Sequence, residues 1–241
     1  MIVVDIGNTT LHFAWVRCGQ ILKTKRIPVQ GAILSAIKKN LSDRFRQDLL
    51  ICSVVPEITA LFKKLRKRVY VVGEQVKVPL ESHYNKKQIG MDRLVGAYAA
   101  KIFFPDTRMI LDFGTAITLD FLSKKGHYQG GLILPGVGST LQVLSGCALL
   151  PKNIRFAGTK KIIPTDTMES ISKGLQDGFS LMINGLVENY RRLLKINNSA
   201  KIIITGGQAP FILAKLDFSY HYEPDLVLRG LAALGQNISL A

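Results

Sequence analysis

The sequence predicts an α/β protein of two similar lobes facing one another across a cleft, and three features of the chain predict it. Short apolar strand runs alternate with stretches of helical spacing along the whole chain. A strand that ends in Asp and passes into a glycine turn occurs twice, as Asp5-Ile6-Gly7-Asn8-Thr9 and as Asp112-Phe113-Gly114-Thr115-Ala116. Each copy precedes a hairpin partner, and each half carries a later buried strand, at 49–55 and at 202–205. A repeat on this scale predicts duplicated lobes, divided as 1–107 and 108–241 after the Pro105-Asp106 break.

Residues 2–6 are the first strand, Leu11 to Val16 the second, and 21–27 the third after a turn at Cys18-Gly19-Gln20. Helical spacing over 31–46 puts Ile33, Leu34, Ile37 and Leu41 on one face. A buried strand at 49–55 is stopped by Pro56, a basic amphipathic helix covers 58–66, and 69–72 is a further strand. The helix at 90–104 carries Asp92 in its first turn, where the positive end of the helix dipole favours an acid. In the second half 109–112 is a strand, 113–116 its turn, 117–122 the next strand and 128–134 a third, after Gly126. A helix follows Pro135-Gly136, and 166–195 holds two more. Lys201 to Gly207 is a buried strand ending in paired glycines, and 224–234 is a closing apolar helix.

With 241 residues, 47% of them hydrophobic and 20% charged, the chain has ample material for a sizeable core. Cys18, Cys52 and Cys147 are odd in number and form no CxxC pair, which predicts reduced thiols in or near the core rather than zinc or disulfides. The start of the chain runs straight into a strand pattern without a basic-then-apolar leader. No apolar run approaches the roughly 20 residues that cross a bilayer. Both features predict a cytoplasmic protein with no membrane partner. The charge of +15 raises nucleic acid as a partner, but the basic residues are scattered in short clusters such as Lys23-Lys25-Arg26 and Lys63-Lys64. That pattern fits a solvated basic surface and anionic small substrates better.

The chemistry starts at the first turn. Asp5 exposes a carboxylate, Gly7 lets a backbone come close to a ligand, and Asn8, Thr9 and Thr10 offer short donors to anionic oxygens. A triphosphate needs such donors, and an acid placed to hold Mg²⁺ through water. One copy alone reads equally as a plain hairpin turn; the second copy at Asp112 favours the phosphate reading. Neither a GxxxxGK[ST] loop nor a GxGxxG turn is present. Asp92 and Arg93 project from one helical turn, as an acid that could accept a hydroxyl proton and a guanidinium that could pair a carboxylate. The plainer alternative is a helix-start acid beside a solvated Arg. His12 is a half-buried strand histidine by default, and His83, His127 and His221 show no metal spacing.

Taken jointly, the motifs resemble the type III pantothenate kinases. The matching segments are Asp5-Ile-Gly-Asn-Thr9, Gly90-Met91-Asp92-Arg93, Asp112-Phe-Gly-Thr-Ala-Ile-Thr118 with Asp120, Gly130-Gly-Leu-Ile-Leu-Pro-Gly136, Asp166-Thr167, Thr205-Gly-Gly207 and Pro224 to Leu231. The resemblance implies two ribonuclease-H-like lobes of the actin-like ATPase superfamily around a nucleotide cleft. It implies ATP as phosphoryl donor and pantothenate as acceptor. By position, Asp5, Ile6, Gly7, Asn8, Thr9, Thr10, Leu11 and His12 are the ATP phosphate segment, with Thr115 a further ATP contact. Asp92 corresponds to the proton acceptor, and Gly90, Met91, Asp92 and Arg93 to the pantothenate segment. Asp112 corresponds to a ligand of a monovalent cation, K⁺ or ammonium, and Thr167 to another pantothenate contact. A homodimer with the substrate pocket at its interface is implied as well. Two departures stand out. Tyr84 is the candidate for the family's substrate tyrosine, one residue nearer Gly90 than usual, and Asp166 stands where Asn commonly precedes the Thr.

The expected activity is direct phosphoryl transfer, with Arg93 on the substrate carboxylate and Asp92 taking the hydroxyl proton. Another kinase or phosphatase of the superfamily is disfavoured by the short chain and the Gly90–Arg93 segment. The alternative from a different class is a non-catalytic relative acting as an accessory transcriptional regulator.

Overall fold

The computed structural model describes residues 1–29, 33–41, 47–66, 68–85, 88–147, 150–151 and 161–238. Its first half holds β1 (Ile2–Ile6), β2 (Thr10–Arg17), β3 (Gln20–Pro28), α1 (Ile33–Leu41), β4 (Leu49–Ser53), α2 (Pro56–Leu65), β5 (Val69–Val71) and α3 (Met91–Phe103). Then follow β6 (Thr107–Phe113), β7 (Ala116–Leu122), β8 (Tyr128–Pro135), α4 (Val137–Ser145), α5 (Thr167–Leu193), β9 (Lys201–Thr205), β10 (His221–Tyr222) and α6 (Leu226–Ile238).

The strands form two five-stranded sheets, in the orders β3-β2-β1-β4-β5 and β10-β9-β6-β7-β8. Taken from its other edge the second sheet runs β8-β7-β6-β9-β10, which is the plan of the first. In both, the opening strand is central, its hairpin partners lie to one side and the two late strands to the other. β1 is antiparallel to β2 and parallel to β4, and β10 is parallel to β9. Parallel neighbours need a crossover, and between β1 and β4 the chain carries β2, β3 and α1.

In β1 every residue but Asp5 is buried, as a central strand covered on both faces requires. Ile2, Val4 and Ile6 pack with Ile37, Leu41, Ile58 and Phe62 of α1 and α2. Val3 packs on the other face, with Val95 of α3 and Leu228 and Leu231 of α6. Strand alternation puts Asp5 on the Val3 face, so the acid points toward the α3 side. Helices α3 and α6 cross closely because Gly230 has no Cβ: one there would stand 2.6 Å from the Val95 carbonyl oxygen.

The chain divides into two compact units. The first gathers Met1–Thr107, Asp120–Gly130 and the segment from Asp225; the second gathers Arg108–Leu119 and Gly131–Pro224. Residues 120–130 and the closing helix, expected in the second lobe, are thus found with the first. The reason for α6 is its apolar face, which is buried against β1 and α3.

Other expectations need correction. Residues 166–195 hold one helix of 27 residues, not two. Glycines at 174, 178 and 185 weaken the helical pattern, each by about 1 kcal/mol against Ala, but buried Phe179, Ile183 and Val187 carry one face straight through. Leu34 is exposed, while Ile37 and Leu41 are buried as expected; 31, 32 and 42–46 lie outside the described residues. Only Cys52 of the three cysteines is buried, and Cys18 and Cys147 are exposed. The two-residue β10 is too short for any periodicity and exists through its pairing with β9. Among the described residues no helix is long and apolar enough to cross a membrane.

Candidate active site

The first unit carries the Asp5 turn. The Gly7 amide donates to the Thr10 carbonyl (3.0 Å), and the Val29 amide to the Thr9 carbonyl (2.9 Å), so the turn is tied to the start of β2 and to the residue that follows β3. Asn8 and Thr9 at its tip are exposed. A Cβ at Gly7 would meet only the Thr10 carbonyl oxygen, at an ordinary 3.5 Å. The hairpin itself therefore does not demand a glycine here; what the missing side chain supplies is open space above the turn. His12 lies opposite Asp5 in the β1–β2 register. Its Nε2 accepts from Arg26 Nε at 3.3 Å and stands 3.3 Å from Asp225 Oδ1. Burial first, and the Arg26 charge second, lower its pKa to about 4, so the imidazole is neutral at pH 7.

Helix α3 starts at Gly90 with φ −63° and ψ 132°. The half-buried Asp92 accepts from the Arg93 amide at 2.8 Å through Oδ1. A Cβ at Gly90 would stand 2.4 Å from that same oxygen, so the glycine of this segment is the space into which the carboxylate folds. Burial raises the Asp92 pKa above the usual carboxylate range, and Asp120 adds to the rise; the Arg93 amide and charge oppose it. Buried Cys52, paired with Asp5 in the β1–β4 register, is pushed well up by burial and then by the charges of Asp5 and Asp92. Asp5, Cys52 and Asp92 thus belong to one face of the first unit.

Arg93 leads away from Asp92. Its Nε and Nη2 donate to Asp120 Oδ1 at 2.9 and 2.6 Å, and Tyr128 Oη donates to the same oxygen at 2.6 Å. Both side chains of the ion pair are nearly inaccessible, 9% for Arg93 and 4% for Asp120. Burial works against the Arg93 charge, but the Asp120 bonds outweigh it and raise its pKa. The rings of Tyr84 and Tyr128 each lie 5.8 Å from Arg93 Cζ and meet edge to face at 6.1 Å. Gly130, at φ +123°, makes room for Tyr84: a Cβ there would lie 3.3 Å from Tyr84 Cδ2.

The second unit holds Asp112 at the end of β6. A Cβ at Gly206, whose φ is +94°, would collide with Asp112 Oδ1 and the Phe113 backbone, so the carboxylate sits in a glycine-lined cradle. The Thr115 carbonyl accepts from the Gly136 amide at 3.1 Å and Ser139 Oγ at 2.7 Å. Gln208 ties this region together, its amide donating to the Phe113 carbonyl (3.0 Å) and its Oε1 accepting from the Gly138 amide (3.2 Å). Asp166 caps α5, Oδ1 accepting from the Glu169 amide at 2.9 Å. Asp serves that capping role as well as Asn does, which accounts for the departure at this position. Thr167 is exposed at the helix start.

Among the described residues no three His, Cys, Asp or Glu side chains group as a metal cage. A divalent ion held through Asp5 would draw most of its ligands from phosphate and water, as Mg²⁺ commonly does. At Asp112 the cradle offers one carboxylate as a candidate ligand for a small cation.

The structure therefore brings Tyr84, Asp92 and Arg93 together in the first unit, with the Asp5–His12 segment in the same unit. Asp112, Thr115 and Thr167 belong to the second. Sequence reasoning assigned no role to Asp120, Tyr128, Gln208 or Asp225. For Asp120 a signal existed: an acid between Leu119 and Phe121 in a buried strand must have a partner.

The model of the family described as type III pantothenate kinase matches residues 1–189. A protein of Persephonella marina (strain DSM 14350 / EX-H1) named type III pantothenate kinase is 32% identical over 95% of each chain. One of the same name from Geobacter sp. (strain M21) is 31% identical over 98% of each. Among solved structures, a "conserved putative Baf family transcriptional activator" from Campylobacter jejuni superposes with a TM-score of 0.67 at 21% identity, over 100% of both chains. Component A of the Acidaminococcus fermentans (R)-2-hydroxyglutaryl-CoA dehydratase gives 0.61 at 13% identity, over 100% of this chain and 99% of its own. At these identities the two structures speak for the fold alone.

Proposed function

This chain belongs to the type III pantothenate kinase family, and on that premise we propose that it phosphorylates pantothenate with ATP, the first step of coenzyme A biosynthesis. The observation that carries the reading is the start of α3, where a half-buried Asp92 with a raised pKa stands one residue from an Arg93 locked in place. Phosphoryl transfer to an alcohol requires an acceptor for the hydroxyl proton and a grip that orients the alcohol.

In this reading Asp92 takes the proton from the primary hydroxyl as the γ-phosphoryl group leaves, giving 4'-phosphopantothenate. Its raised pKa makes it a stronger base than an exposed carboxylate. Arg93 pairs the pantothenate carboxylate, with Tyr84, Gly90, Met91 and Thr167 as further substrate contacts. Residues Asp5 to His12 hold the ATP phosphates, and Thr115 is a further ATP contact. Asp5 would hold, through water, the Mg²⁺ that comes with ATP, which would supply neutralisation of phosphate charge. Asp112 would hold K⁺ or ammonium. The neutral His12 suits a role as hydrogen-bonding support for the turn rather than as a charged phosphate ligand.

A homodimer with the substrate pocket at its interface is part of the same proposal. Its support is α5, where Gly174, Gly178, Leu181 and Gly185 share one face. Leu181 is 72% exposed, and apart from the neighbouring residues and backbone of α5 itself no described atom lies within 4 Å of where the three glycines would carry a Cβ. We place the enzyme in the cytoplasm, with no membrane or nucleic-acid partner. The regulator alternative is not favoured, since a regulator has no use for Asp5, Asp92, Arg93 and Asp112 as a set. The test is a coupled ADP-release assay with and without pantothenate and K⁺. ADP release that depends on pantothenate is expected; well-folded protein that releases none would remove the proposal.

A further inference from the structure

The Arg93–Asp120 pair is unusual for what it omits. Asp92 lies one residue away, yet the guanidinium turns to Asp120, while Asp92 accepts from backbone amides, that of Arg93 among them. Arg93 bonds through Nε and Nη2, both to the single oxygen Oδ1, which Tyr128 Oη also reaches. The Nε edge of the guanidinium is thereby occupied, and the Nη1–Nη2 edge is the one left out of this pair. That second edge offers two parallel N–H bonds to another carboxylate. The rings of Tyr84 and Tyr128 flank the group and limit its tilt.

Stability does not explain such an arrangement, because desolvating a pair this inaccessible offsets most of its attraction. Apolar side chains of similar volume would pack the site at least as well. What the network supplies is direction: a guanidinium on a long, rotatable stem is fixed at one edge and denied its nearest alternative, the Asp92 carboxylate.

We infer that Asp120 and Tyr128 are positioning residues, which hold Arg93 off the proton acceptor and present its outer edge as the seat for the acceptor's carboxylate. The inference rests on the proposed reading of Arg93 as the group that binds that carboxylate. In consequence the preference for an acceptor with a carboxylate depends on two residues that do not touch it.

The experiment compares Asp120→Asn and Tyr128→Phe with wild type, on pantothenate and on its analogue with the carboxylate reduced to a primary alcohol. For Asp120→Asn, KM for pantothenate should rise about 10- to 100-fold and KM for ATP stay within about twofold, since a hydrogen bond to a charged group is lost on the acceptor side only. Tyr128→Phe should raise KM for pantothenate about 3- to 10-fold, as the loss of one neutral donor does. With either variant the ratio of kcat/KM between the acid and the alcohol should shrink, which general loosening of the fold would not produce. Should Asp120→Asn fail to fold, Tyr128→Phe, which keeps the ion pair, decides alone. Variants that keep the wild-type preference for the acid overturn the inference and leave the kinase reading standing. Wild-type protein that releases no ADP with pantothenate overturns both.

Discussion

Replacing Gly90 with Ala tests whether the position of the Asp92 carboxylate matters, as distinct from its presence. The backbone at Gly90, φ −63° and ψ 132°, is open to any L-residue, so the change introduces no dihedral strain. The new Cβ would stand 2.4 Å from Asp92 Oδ1, with the next atoms at 3.5 and 3.9 Å. A relaxed contact needs roughly 1 Å more. The carboxylate must rotate, giving up its 2.8 Å bond from the Arg93 amide. Rotation off a favoured rotamer costs about 0.5–1.5 kcal/mol, and a hydrogen bond to a charged group is worth about 1.5–3 kcal/mol. Against that, Ala narrows the unfolded ensemble by about 0.4–1 kcal/mol. The net loss is about 1–4 kcal/mol, or a Tm lower by roughly 2–16 °C. A reacting group displaced by about 1 Å costs on the order of 10²-fold in rate. Coupled ADP release at saturating ATP and pantothenate, beside a thermal melt, should show a kcat lower by about that factor in protein still folded at assay temperature. A kcat within about threefold of wild type would refute the argument, because the collision would have proved harmless to a supposedly placed base.

Asp92→Asn should lower kcat by roughly 10²- to 10⁴-fold while ATP still binds, measured by single-turnover phosphoryl transfer and a nucleotide titration. The same variant should melt higher than wild type at pH 8. The folded-state pKa of Asp92 is raised, so its ionisation costs stability that is intact below the unfolded value and lost as pH rises through the folded one; the gap should close on acidification. For His12 the sign is opposite to that of a histidine gaining a partner. Its folded pKa is lowered from 6.5 to about 4, so the unfolded chain binds the proton first and wild-type Tm should fall as pH drops through that window. His12→Gln should flatten that slope in melts taken from pH 7 to 4.5. Leu181→Glu should break the proposed dimer. Two leucines withdrawn from an interface are worth about 3–6 kcal/mol, so sedimentation at micromolar protein should show monomer, with pantothenate turnover lost alongside.

Much of the fold was legible because period-2 and period-3.6 patterns report burial directly: Ile2–Ile6, Ile51 and Phe62 are where their spacing puts them. The duplicated plan was legible from the two Asp-x-Gly turns, whose strands hold the same place in the two sheets. What eluded the sequence was anything fixed by long-range partners. β10 has no pattern of its own, and α6 joins the first unit through side chains of β1 and α3 rather than through its neighbours in the chain. At the site, the chemistry-bearing Asp92 and Arg93 could be named from one helical turn. Their supports could not, since Asp120 and Tyr128 reach Arg93 from 27 and 35 positions later in the chain. Gly90 showed as part of a motif, but only geometry gives its reason, a carboxylate folded into the space its side chain would fill.

The return of α6 to the first sheet bears on how the protein is made. One face of strand β1 is covered by Leu228 and Leu231, which leave the ribosome more than two hundred residues after it. At about 5–20 residues per second that interval lasts on the order of ten seconds or more. During it Val3, Leu50 and Val95 have no finished cover, and the early sheet is a surface that other nascent chains can stick to. Fragments cut before Asp225 should inherit that exposure permanently, so the first half of this sequence is no independent module even though it contains Asp92 and Arg93, proposed as the acceptor's base and carboxylate partner.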